Sequence, residues 1–526
     1  ILLTAINAKY IHSNLAVYSL RACAGEYRDA VELAEYTINN QKDYILEELY
    51  KRKPDVLCFS CYIWNIDYVT DIAREYKKLC PSVPIWVGGP EVSYEVEAFL
   101  RENPYIDGVM IGEGEDTFRE LCGYYAHKRK LSDIAGIAFR KNSTGNSTSV
   151  NNIGGNKAGE IVFTSPRPIK NMSEIPFCYD TLDDFSNRII YYESSRGCPF
   201  SCSYCLSSVD KTLRFRDTRI VKRELKFFID QKVPQIKFVD RTFNCNHAHA
   251  MELWRFIKAN DNGVTNFHFE ISADLLNQEE LELISDMRPG LIQLEIGVQS
   301  TNEVTIKEIH RTMKLERLKE VVKLIQSGNN IHEHLDLIAG LPYEDYDSFG
   351  RSFDEIYELK PNQLQLGFLK VLKGSYMFEH AAEYGIVYHD KPPYEVMSTK
   401  WLSFDDVIKI KRVEDMLEVY YNSGQFEITM KLMECIFDSA FEFFQELGDF
   451  YEANGYFGMS HSRIRRCEIL LEFLALYLHG CDSDAITSVG LSENHGDRDN
   501  TDFDENAIDR DNTDFDENAI DRDNTD

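Results

Sequence analysis

Residues 195–205 read Ser-Arg-Gly-Cys-Pro-Phe-Ser-Cys-Ser-Tyr-Cys, which places Cys198, Cys202 and Cys205 in the spacing C-x3-C-x2-C. The stretch follows a β-rich run at 189–194, so it is expected to leave the end of a strand. Soft thiolate ligands select iron–sulfur clusters, zinc or cuprous copper. Three thiolates on one short loop fit three irons of a four-iron cluster and leave the fourth iron open for a substrate or cosubstrate.

A structural zinc site is the alternative interpretation of these cysteines. Zinc usually takes a fourth protein ligand, often from a second C-x2-C pair. Cys178 and Cys245 could be recruited, but neither belongs to such a pair. The spacing therefore favours a cluster over zinc.

The cysteine segment resembles the radical S-adenosylmethionine (SAM) superfamily, whose signature is C-x3-C-x-aromatic-C, and Tyr204 fills the aromatic position. The resemblance implies a [4Fe–4S] cluster on Cys198, Cys202 and Cys205, whose open iron chelates the amino and carboxylate groups of SAM. It also implies a reductant such as flavodoxin or ferredoxin, reductive cleavage of SAM and a 5′-deoxyadenosyl radical. The backbone around Tyr204 is then expected to receive the adenine.

Residues 186–390 show an alternation of strand and helix patterns around this motif. Six β/α units match the partial (β/α)6 barrel of the radical SAM family rather than a closed barrel of eight units. The strand candidates are 189–193, 236–239, 267–271, 291–296, 334–338 and 363–368.

Two runs at strand ends, G-V-Q-S at 297–300 and D-L-I-A-G-L-P at 336–342, are similar to those of oxygen-independent coproporphyrinogen oxidase and its relatives. This resemblance implies SAM contacts at the strand ends, because carboxylates accept hydrogen bonds from amino or ribose groups and arginine pairs with a carboxylate. The SAM-contact candidates are Tyr204, Asp240, Glu270, Glu295 and Arg311. Asp240 lies where the family more often has a glycine-rich contact, and each acid could instead cap a loop.

Residues 1–128 also alternate between strand and helix patterns. Helical crossovers between strands predict a parallel sheet covered on both faces, here a flavodoxin-like (Rossmann-type) α/β domain. Ligands of such domains bind at the carboxyl ends of the strands. The sequence has no G-x-G-x-x-G after the first strand, so it lacks a dinucleotide fingerprint. The strand candidates are 1–6, 31–36, 56–60, 85–87 and 108–111.

Glycine-rich runs follow two of these strands, G-G-P at 88–90 and G-E-G-E at 112–115, and look like the cobalamin-binding domain of cobalamin-dependent radical SAM proteins. The resemblance implies these candidates for cobalamin contact: His12, Ser60, Gly88, Gly89, Gly112 and Glu113. Cobalamin mutases carry D-x-H-x-x-G with a cobalt-ligating His, whereas here Tyr10 replaces the Asp and Leu15 the Gly around His12. A His without its orienting carboxylate is a poorer ligand. His12 as a plain loop residue, and the glycines as simple turns, remain alternatives.

The rest of the chain is assigned by composition. Residues 129–185 are expected to form a linker and irregular segment, 391–485 a helical C-terminal domain, and 486–526 a disordered tail of acidic repeats. The 13 scattered cysteines favour a reducing cytoplasm over a disulfide framework. The formal net charge of −30 argues against non-specific nucleic-acid binding. An apolar run of about 18 residues is absent from the sequence, so no membrane span is expected. The chain begins at Ile1 without Met, so a few preceding residues are expected.

The sequence thus predicts a cytoplasmic radical SAM enzyme that uses cobalamin to modify an unactivated carbon of an unknown small molecule or peptide, most simply by methyl transfer. Three alternatives remain: cyclisation or rearrangement without methyl transfer, radical chemistry without a corrinoid, and a non-catalytic iron–sulfur or corrinoid carrier or sensor. An open cluster is oxygen-labile, so an anaerobic or microaerobic host is expected.

Overall fold

The computed structural model, which describes residues 1–141, 159–209 and 211–480, begins with a seven-stranded sheet in the order β2-β1-β3-β4-β5-β6-β7. The strands are β1 (Leu2–Asn7), β2 (Glu32–Thr37), β3 (Leu57–Ser60), β4 (Ile85–Gly88), β5 (Gly108–Met110), β6 (Ile137–Lys141) and β7 (Glu160–Phe163). The first five are parallel and the last two antiparallel. The helices between them are α1 (Leu15–Cys23), α2 (Lys42–Arg52), α3 (Ile66–Leu79), α4 (Val96–Glu102) and α5 (Glu115–Tyr125).

Helices cover both faces of this sheet, which explains why β1 is buried along its whole length. Helix α3 presents Val69, Ala73 and Tyr76 to the core, at the i, i+4, i+7 spacing of one helical face. On the sheet, Gly108 leaves room for the ring of Trp86, since a Cβ there would lie 2.3 Å from it. The strand order 2-1-3-4-5 confirms the predicted flavodoxin-like fold.

The segment 129–185, predicted as a linker and irregular, contributes two strands to this sheet. Strand β6 pairs with the otherwise open edge of β5, and β7 pairs with β6. The two strands were not predicted because a long polar stretch separates them, whereas a hairpin is recognised in sequence by a short turn between two strands. The Asn-, Ser-, Thr- and Gly-rich stretch at 142–159 is predicted to be an exposed loop, and all of it except Gly159 lies outside the described residues, as does the predicted acidic tail at 486–526.

A second sheet of six parallel strands, in the order β15-β14-β13-β12-β11-β8, follows and confirms the partial (β/α)6 barrel. Its strands are β8 (Ile190–Tyr192), β11 (Gln235–Phe238), β12 (Asn266–Ile271), β13 (Ile292–Gln299), β14 (His332–Ala339) and β15 (Gln363–Phe368). A two-stranded antiparallel ribbon, β9 (Ser195–Arg196) with β10 (Arg214–Phe215), flanks the cysteine loop. The barrel helices are α6 (Thr218–Asp230), α7 (His247–Ala259), α8 (Gln278–Ser285), α9 (Glu303–Glu308), α10 (Leu315–Gly328) and α11 (Tyr346–Tyr357).

The two faces of the barrel sheet differ in chemistry. Phe238 and Phe269 pack on each other with ring centroids 4.6 Å apart, and Trp254 of α7 lies against Phe269 on the helix side. Alternate residues of a strand point to opposite faces. His268 and Glu270 therefore face the inside of the barrel, where the chemistry of such folds belongs.

Helix α12 (Tyr376–His380) and a short hairpin, β16 (Val387–Tyr388) with β17 (Val396–Ser398), complete the first compact unit, Ile1–Val407. A second unit begins at Ile408 and is helical throughout its described part, as predicted for most of 391–485. The remaining helices are α13 (Phe404–Leu417), α14 (Glu427–Ile436), α15 (Ala440–Ala453) and α16 (Arg463–Gly480). Among the described residues, no helix has the length and apolar character needed to cross a membrane.

A carboxylate buried on the helix side of β14 generates a stability prediction. Glu333 is fully buried, and among the described residues its side-chain oxygens have no hydrogen-bond partner. Burial raises the pKa of this carboxyl from about 4.5 to about 8, against a smaller opposing effect of Gln326. Folding therefore disfavours the charged form, and stability is lost as pH rises from about 4.5 to about 8.

We expect Glu333→Gln to raise the apparent Tm at pH 8 by about 3 °C or more, and the gain to shrink toward pH 4. Thermal scans across this pH range check the prediction, with Glu316→Gln on the exposed face of α10 as the matched control. A gain that is equal at both ends of the pH range would contradict it.

Candidate cofactor site

The cysteine loop begins directly after β9 and is held by backbone contacts to two other segments. The Ser203 N–H donates to the Ile309 carbonyl at 2.9 Å, and the Met377 N–H donates to the Ser203 carbonyl at 2.9 Å. Gly197, immediately before Cys198, has a φ of +91°, and a Cβ there would lie 2.6 Å from the Thr212 carbonyl oxygen. This position therefore requires glycine, both because of its positive φ and because the backbone at Thr212, just before β10, approaches it closely.

The three predicted cluster ligands lie together at this loop. Cys198 and Cys202 are buried and Cys205 is half-buried, and all three are free thiols. Within the described part of the chain, no three His, Cys, Asp or Glu side chains converge as ligands of a single metal ion. Three thiolates on one loop match the ligand set of a four-iron cluster, which takes one thiolate per iron. The donor set thus fits a cluster.

Asp240, on the loop after β11, binds the two residues that lead into the cysteine loop. Its fully buried carboxylate accepts hydrogen bonds from the Ser194 N–H at 2.9 Å, the Ser194 hydroxyl at 2.7 Å and the Ser195 hydroxyl at 2.5 Å. The Ser194 hydroxyl also lies 3.0 Å from His249 Nε2. Burial raises the pKa of Asp240 to about 7, although these hydrogen bonds oppose the shift. The contacts give Asp240 a positioning role, and its contact with SAM stays a prediction.

Arg311 lies against the other side of the cysteine loop. Its Nη1 is 3.2 Å from the Tyr204 hydroxyl and 3.9 Å from the Cys202 sulfur, and its Nη2 donates to the Gly297 carbonyl. On the opposite side, the Cys198 sulfur is 3.7 Å from the Thr242 hydroxyl. The structure therefore brings the predicted SAM residues Tyr204 and Arg311 to the cluster ligands.

Glu270 and Glu295 are paired in register on the neighbouring strands β12 and β13. Glu295 accepts from Lys237 Nζ at 3.2 Å and from His268 Nε2 at 2.9 Å. Burial acts to raise the pKa of Glu295, but Lys237, His268 and His334 hold it well below its usual range. Burial and then the Glu295 charge raise the pKa of Glu270 to about 8. The pair thus combines an ionised carboxylate with a carboxyl that is protonated at neutral pH and can donate a hydrogen bond.

The sequence analysis missed the other polar residues inside the barrel. Lys237 and His268 bind Glu295, and His334 Nε2 lies 3.0 Å from the Asp336 carboxylate. The sequence of β12 could have revealed these residues, because Asn, His and Glu alternate in it with Phe, Phe and Ile. Alternate residues of a strand point to opposite faces, so the apolar residues mark the helix-covered face and the polar residues mark the inside of the barrel.

The predicted cobalamin residues lie along the carboxyl edge of the first sheet. Ser60 and Gly88 are paired in register at the ends of β3 and β4. Gly89 follows with a φ of +124°, and Gly112 follows β5 with a φ of +73°. A Cβ at Gly112 would meet no atom within 4 Å, so the edge is open to a bulky ligand at this point. Gly112 thus fits the corrinoid that the resemblance implies, whereas a Cβ at Gly89 would lie 2.3 Å from the Cys61 carbonyl oxygen, so packing within the domain already requires that glycine. The individual cobalamin contacts stay predictions.

His12 and Glu113 are directed toward the barrel. His12 is buried, and its Nδ1 lies 2.7 Å from the hydroxyl of Tyr191, which belongs to β8. Glu113 accepts from Arg214 Nη2 at 2.6 Å and from the Lys170 N–H at 3.4 Å. A role of His12 as a cobalt ligand also stays a prediction.

Comparison with known protein families agrees with this architecture. Residues 1–122 match the B12 binding domain, 192–356 match the radical SAM superfamily, and 382–505 match a family described as a protein of unknown function, DUF4080. The chain therefore carries a B12 binding domain at 1–122, ahead of a radical SAM domain at 192–356.

Individual relatives point the same way. The chain is 28% identical over 362 residues to the cobalamin-dependent radical SAM methyltransferase TokK of Streptomyces tokunonensis, a match that covers 64% of this chain and 49% of TokK. It thus spans about half the length of that relative. It is 22% identical over 355 residues to the anaerobic magnesium-protoporphyrin IX monomethyl ester cyclase of Rubrivivax gelatinosus, covering 64% of this chain and 60% of the cyclase.

Among solved structures, the fold is similar to that of the cobalamin-dependent SAM radical enzyme OxsB with aqua-cobalamin and SAM bound. The TM-score is 0.61 at 15% identity, covering 91% of this chain and 75% of OxsB. At this identity the likeness shows a shared fold.

The Asp240 contacts predict a loss of cluster binding. Asp240→Ala leaves three donors ahead of the cysteine loop without their acceptor, at a cost of about 1–3 kcal/mol for each buried group left unsatisfied. We expect iron per chain after anaerobic reconstitution to fall by about half or more in Asp240→Ala, and less in Asp240→Asn, which keeps one acceptor oxygen.

Asp230→Asn on the exposed end of α6 is the control and should bind iron as the wild type does. Full iron content in a folded Asp240→Ala protein would show that the loop does not depend on this carboxylate.

Proposed function

We propose that this protein is an enzyme that uses a [4Fe–4S] cluster, SAM and cobalamin to methylate an unactivated carbon of a small molecule or peptide. One observation carries the proposal. The cysteine loop of a six-unit barrel and a B12-type sheet lie in one compact unit, and the strand-end loops of the sheet contact the barrel.

Two of these contacts lie at the edge of the sheet that is formed by the carboxyl ends of its parallel strands, and one of them reaches the cysteine loop. After β1, the Ser13 hydroxyl donates to the Ile189 carbonyl at 2.8 Å. After β3, Ile63 belongs to an apolar cluster that also includes Leu206 of the cysteine loop and Leu372. These contacts support a corrinoid bound at the carboxyl ends of the strands, where doubly wound domains bind their ligands. A corrinoid in that position would also face the barrel.

Each group would have a distinct chemical role. When bound, the cluster and SAM would supply a 5′-deoxyadenosyl radical that takes a hydrogen atom from the substrate, and methylcobalamin would supply the methyl group, which a second SAM would restore on conversion to S-adenosylhomocysteine. The Arg311 guanidinium, beside Cys202, is suited to pair with the carboxylate of SAM. The protonated carboxyl of Glu270 is suited to donate a hydrogen bond to a ribose oxygen. Lys237 and His268 keep the neighbouring Glu295 ionised.

Ring formation without methyl transfer is the second candidate, because one of the relatives is a cyclase. A non-catalytic carrier or sensor is less well supported, since a carrier has no use for Arg311 beside Cys202 or for the paired carboxyls of Glu270 and Glu295 in the barrel. The proposal includes an unidentified electron donor such as a flavodoxin or ferredoxin. It also includes a reducing, oxygen-poor cytosol, in agreement with the free thiols found among the described residues.

The activity is tested by anaerobic reconstitution with iron, sulfide and cobalamin, then addition of SAM and dithionite. We expect both 5′-deoxyadenosine and S-adenosylhomocysteine by mass spectrometry, and neither from the Cys198/Cys202/Cys205→Ala variant. 5′-Deoxyadenosine alone would favour ring formation or rearrangement. If the iron-loaded wild type yields no more of either nucleoside than the variant does, including with cell extract as a source of substrate, the catalytic proposal fails.

A second prediction concerns SAM binding. We expect Arg311→Gln to weaken SAM binding roughly 10–100-fold, because it removes a charge-assisted pair with the carboxylate. Equilibrium dialysis with labelled SAM on the reconstituted protein measures the change. Arg219→Gln on the exposed side of α6 is the control, and iron content must match in both variants. Unchanged SAM affinity in Arg311→Gln would remove this residue from the site.

A further inference from the structure

Arg196 lies two residues before Cys198 and binds carboxylates from both domains. Its Nε and Nη2 donate to the two carboxylate oxygens of Glu193 at 2.9 Å and 2.7 Å. The same Nη2 donates to Glu115 at 2.8 Å, and its Nη1 lies 3.4 Å from Glu113. One guanidinium thus joins the segment that leads into the cysteine loop to the G-E-G-E loop of the first sheet.

Arg214 reinforces this connection from the opposite strand of the ribbon. It is paired in register with Arg196, and its Nη2 donates to Glu113 at 2.6 Å. Two arginines facing each other repel, and the carboxylates of Glu113 and Glu115 offset that repulsion. The loop that follows β5 therefore contributes the counter-charges that the ribbon requires.

These ion pairs are largely removed from water. The side chains of Arg196 and Arg214 are 22% and 13% exposed, and those of Glu113 and Glu115 are 20% and 7% exposed. Ion pairs in such surroundings are weakly screened by salt, and removal of one partner leaves an uncompensated buried charge. A displacement of the cysteine loop is therefore transmitted to the G-E-G-E loop, which holds Gly112 at the open edge of the sheet.

We propose that Arg196 and Arg214 are positioning residues that couple the two cofactor sites, so that a bound cluster strengthens cobalamin binding and bound cobalamin changes the surroundings of the cluster. The inference rests on the proposed use of both cofactors. Cluster ligation by Cys198 fixes the ribbon, the ribbon fixes Glu113 and Glu115, and these fix the loop at Gly112. Thermodynamic linkage requires the coupling to be equal in both directions.

The test measures cobalamin affinity in two states of the same protein. Hydroxocobalamin is titrated by absorbance into reconstituted protein and into protein freed of its cluster by a chelator. In the wild type we expect binding that is about 5-fold or more tighter with the cluster present. In Arg196→Gln and in Arg214→Gln, the ratio of the two Kd values should fall toward 1. A purely structural role would weaken binding in both states and leave the ratio unchanged.

Two further variants keep the test decisive. Arg196→Lys retains the positive charge but not the planar guanidinium, and it serves as the test if Arg196→Gln does not fold. Its ratio of the two Kd values should lie between that of the wild type and 1. Arg167→Gln breaks a comparably buried ion pair with Glu120 of α5 that does not touch the ribbon, so it should lower stability but keep the full ratio. In the reverse direction, cobalamin should shift the electron paramagnetic resonance spectrum of the reduced cluster in the wild type and not in Arg196→Gln or Arg214→Gln.

The outcomes separate this inference from the proposed function. Equal cobalamin affinity with and without the cluster in the wild type, or an undiminished ratio in folded Arg196→Gln and Arg214→Gln proteins, overturns the coupling alone. A wild type that binds no cobalamin in either state overturns the proposed use of cobalamin and the coupling together.

Discussion

The buried carboxylate of Asp240 binds the two residues that lead into the cysteine loop. The loop lies outside the barrel sheet, and backbone hydrogen bonds at Ser203, to Ile309 and from Met377, tie it to other segments. Asp240 accepts three hydrogen bonds from Ser194 and Ser195 and thereby fixes the chain just before Cys198. Buried donors must be paired, and a single carboxylate from the next strand end pairs all three. A residue that is not itself a predicted ligand thus holds the backbone that leads into the predicted cluster cysteines.

Inside the barrel, neighbouring side chains decide which of the two carboxyls, Glu270 or Glu295, carries a charge. Glu295 remains ionised because Lys237 and His268 contact it, and its charge in turn helps to keep Glu270 protonated. Two adjacent buried carboxylates cannot both ionise cheaply, so the neighbours of each decide which one carries the charge. The barrel thereby obtains an acceptor and a donor from two residues of the same type.

The contact between the sheet and the barrel combines three kinds of interaction. Hydrogen bonds hold the loop after β1, an apolar cluster holds the loop after β3, and ion pairs hold the loop after β5. Each loop follows the carboxyl end of a parallel strand, where a doubly wound domain binds its ligand. A ligand at that edge and the cluster loop of the barrel are consequently parts of one connected structure.

The order of elements could be read from the sequence, because burial on both faces of a parallel sheet leaves apolar runs separated by helical periodicity. The cysteine spacing likewise predicted the three cluster ligands, since one short loop carries all of them. Strands β6 and β7 were missed because the chain between them contains no recognisable turn. The partners of Asp240, Glu295 and Arg196 could not be predicted either. Apart from Glu193, which is three residues from Arg196, they are distant in sequence, and only the tertiary structure decides which charges share a buried space and hence which of them ionise.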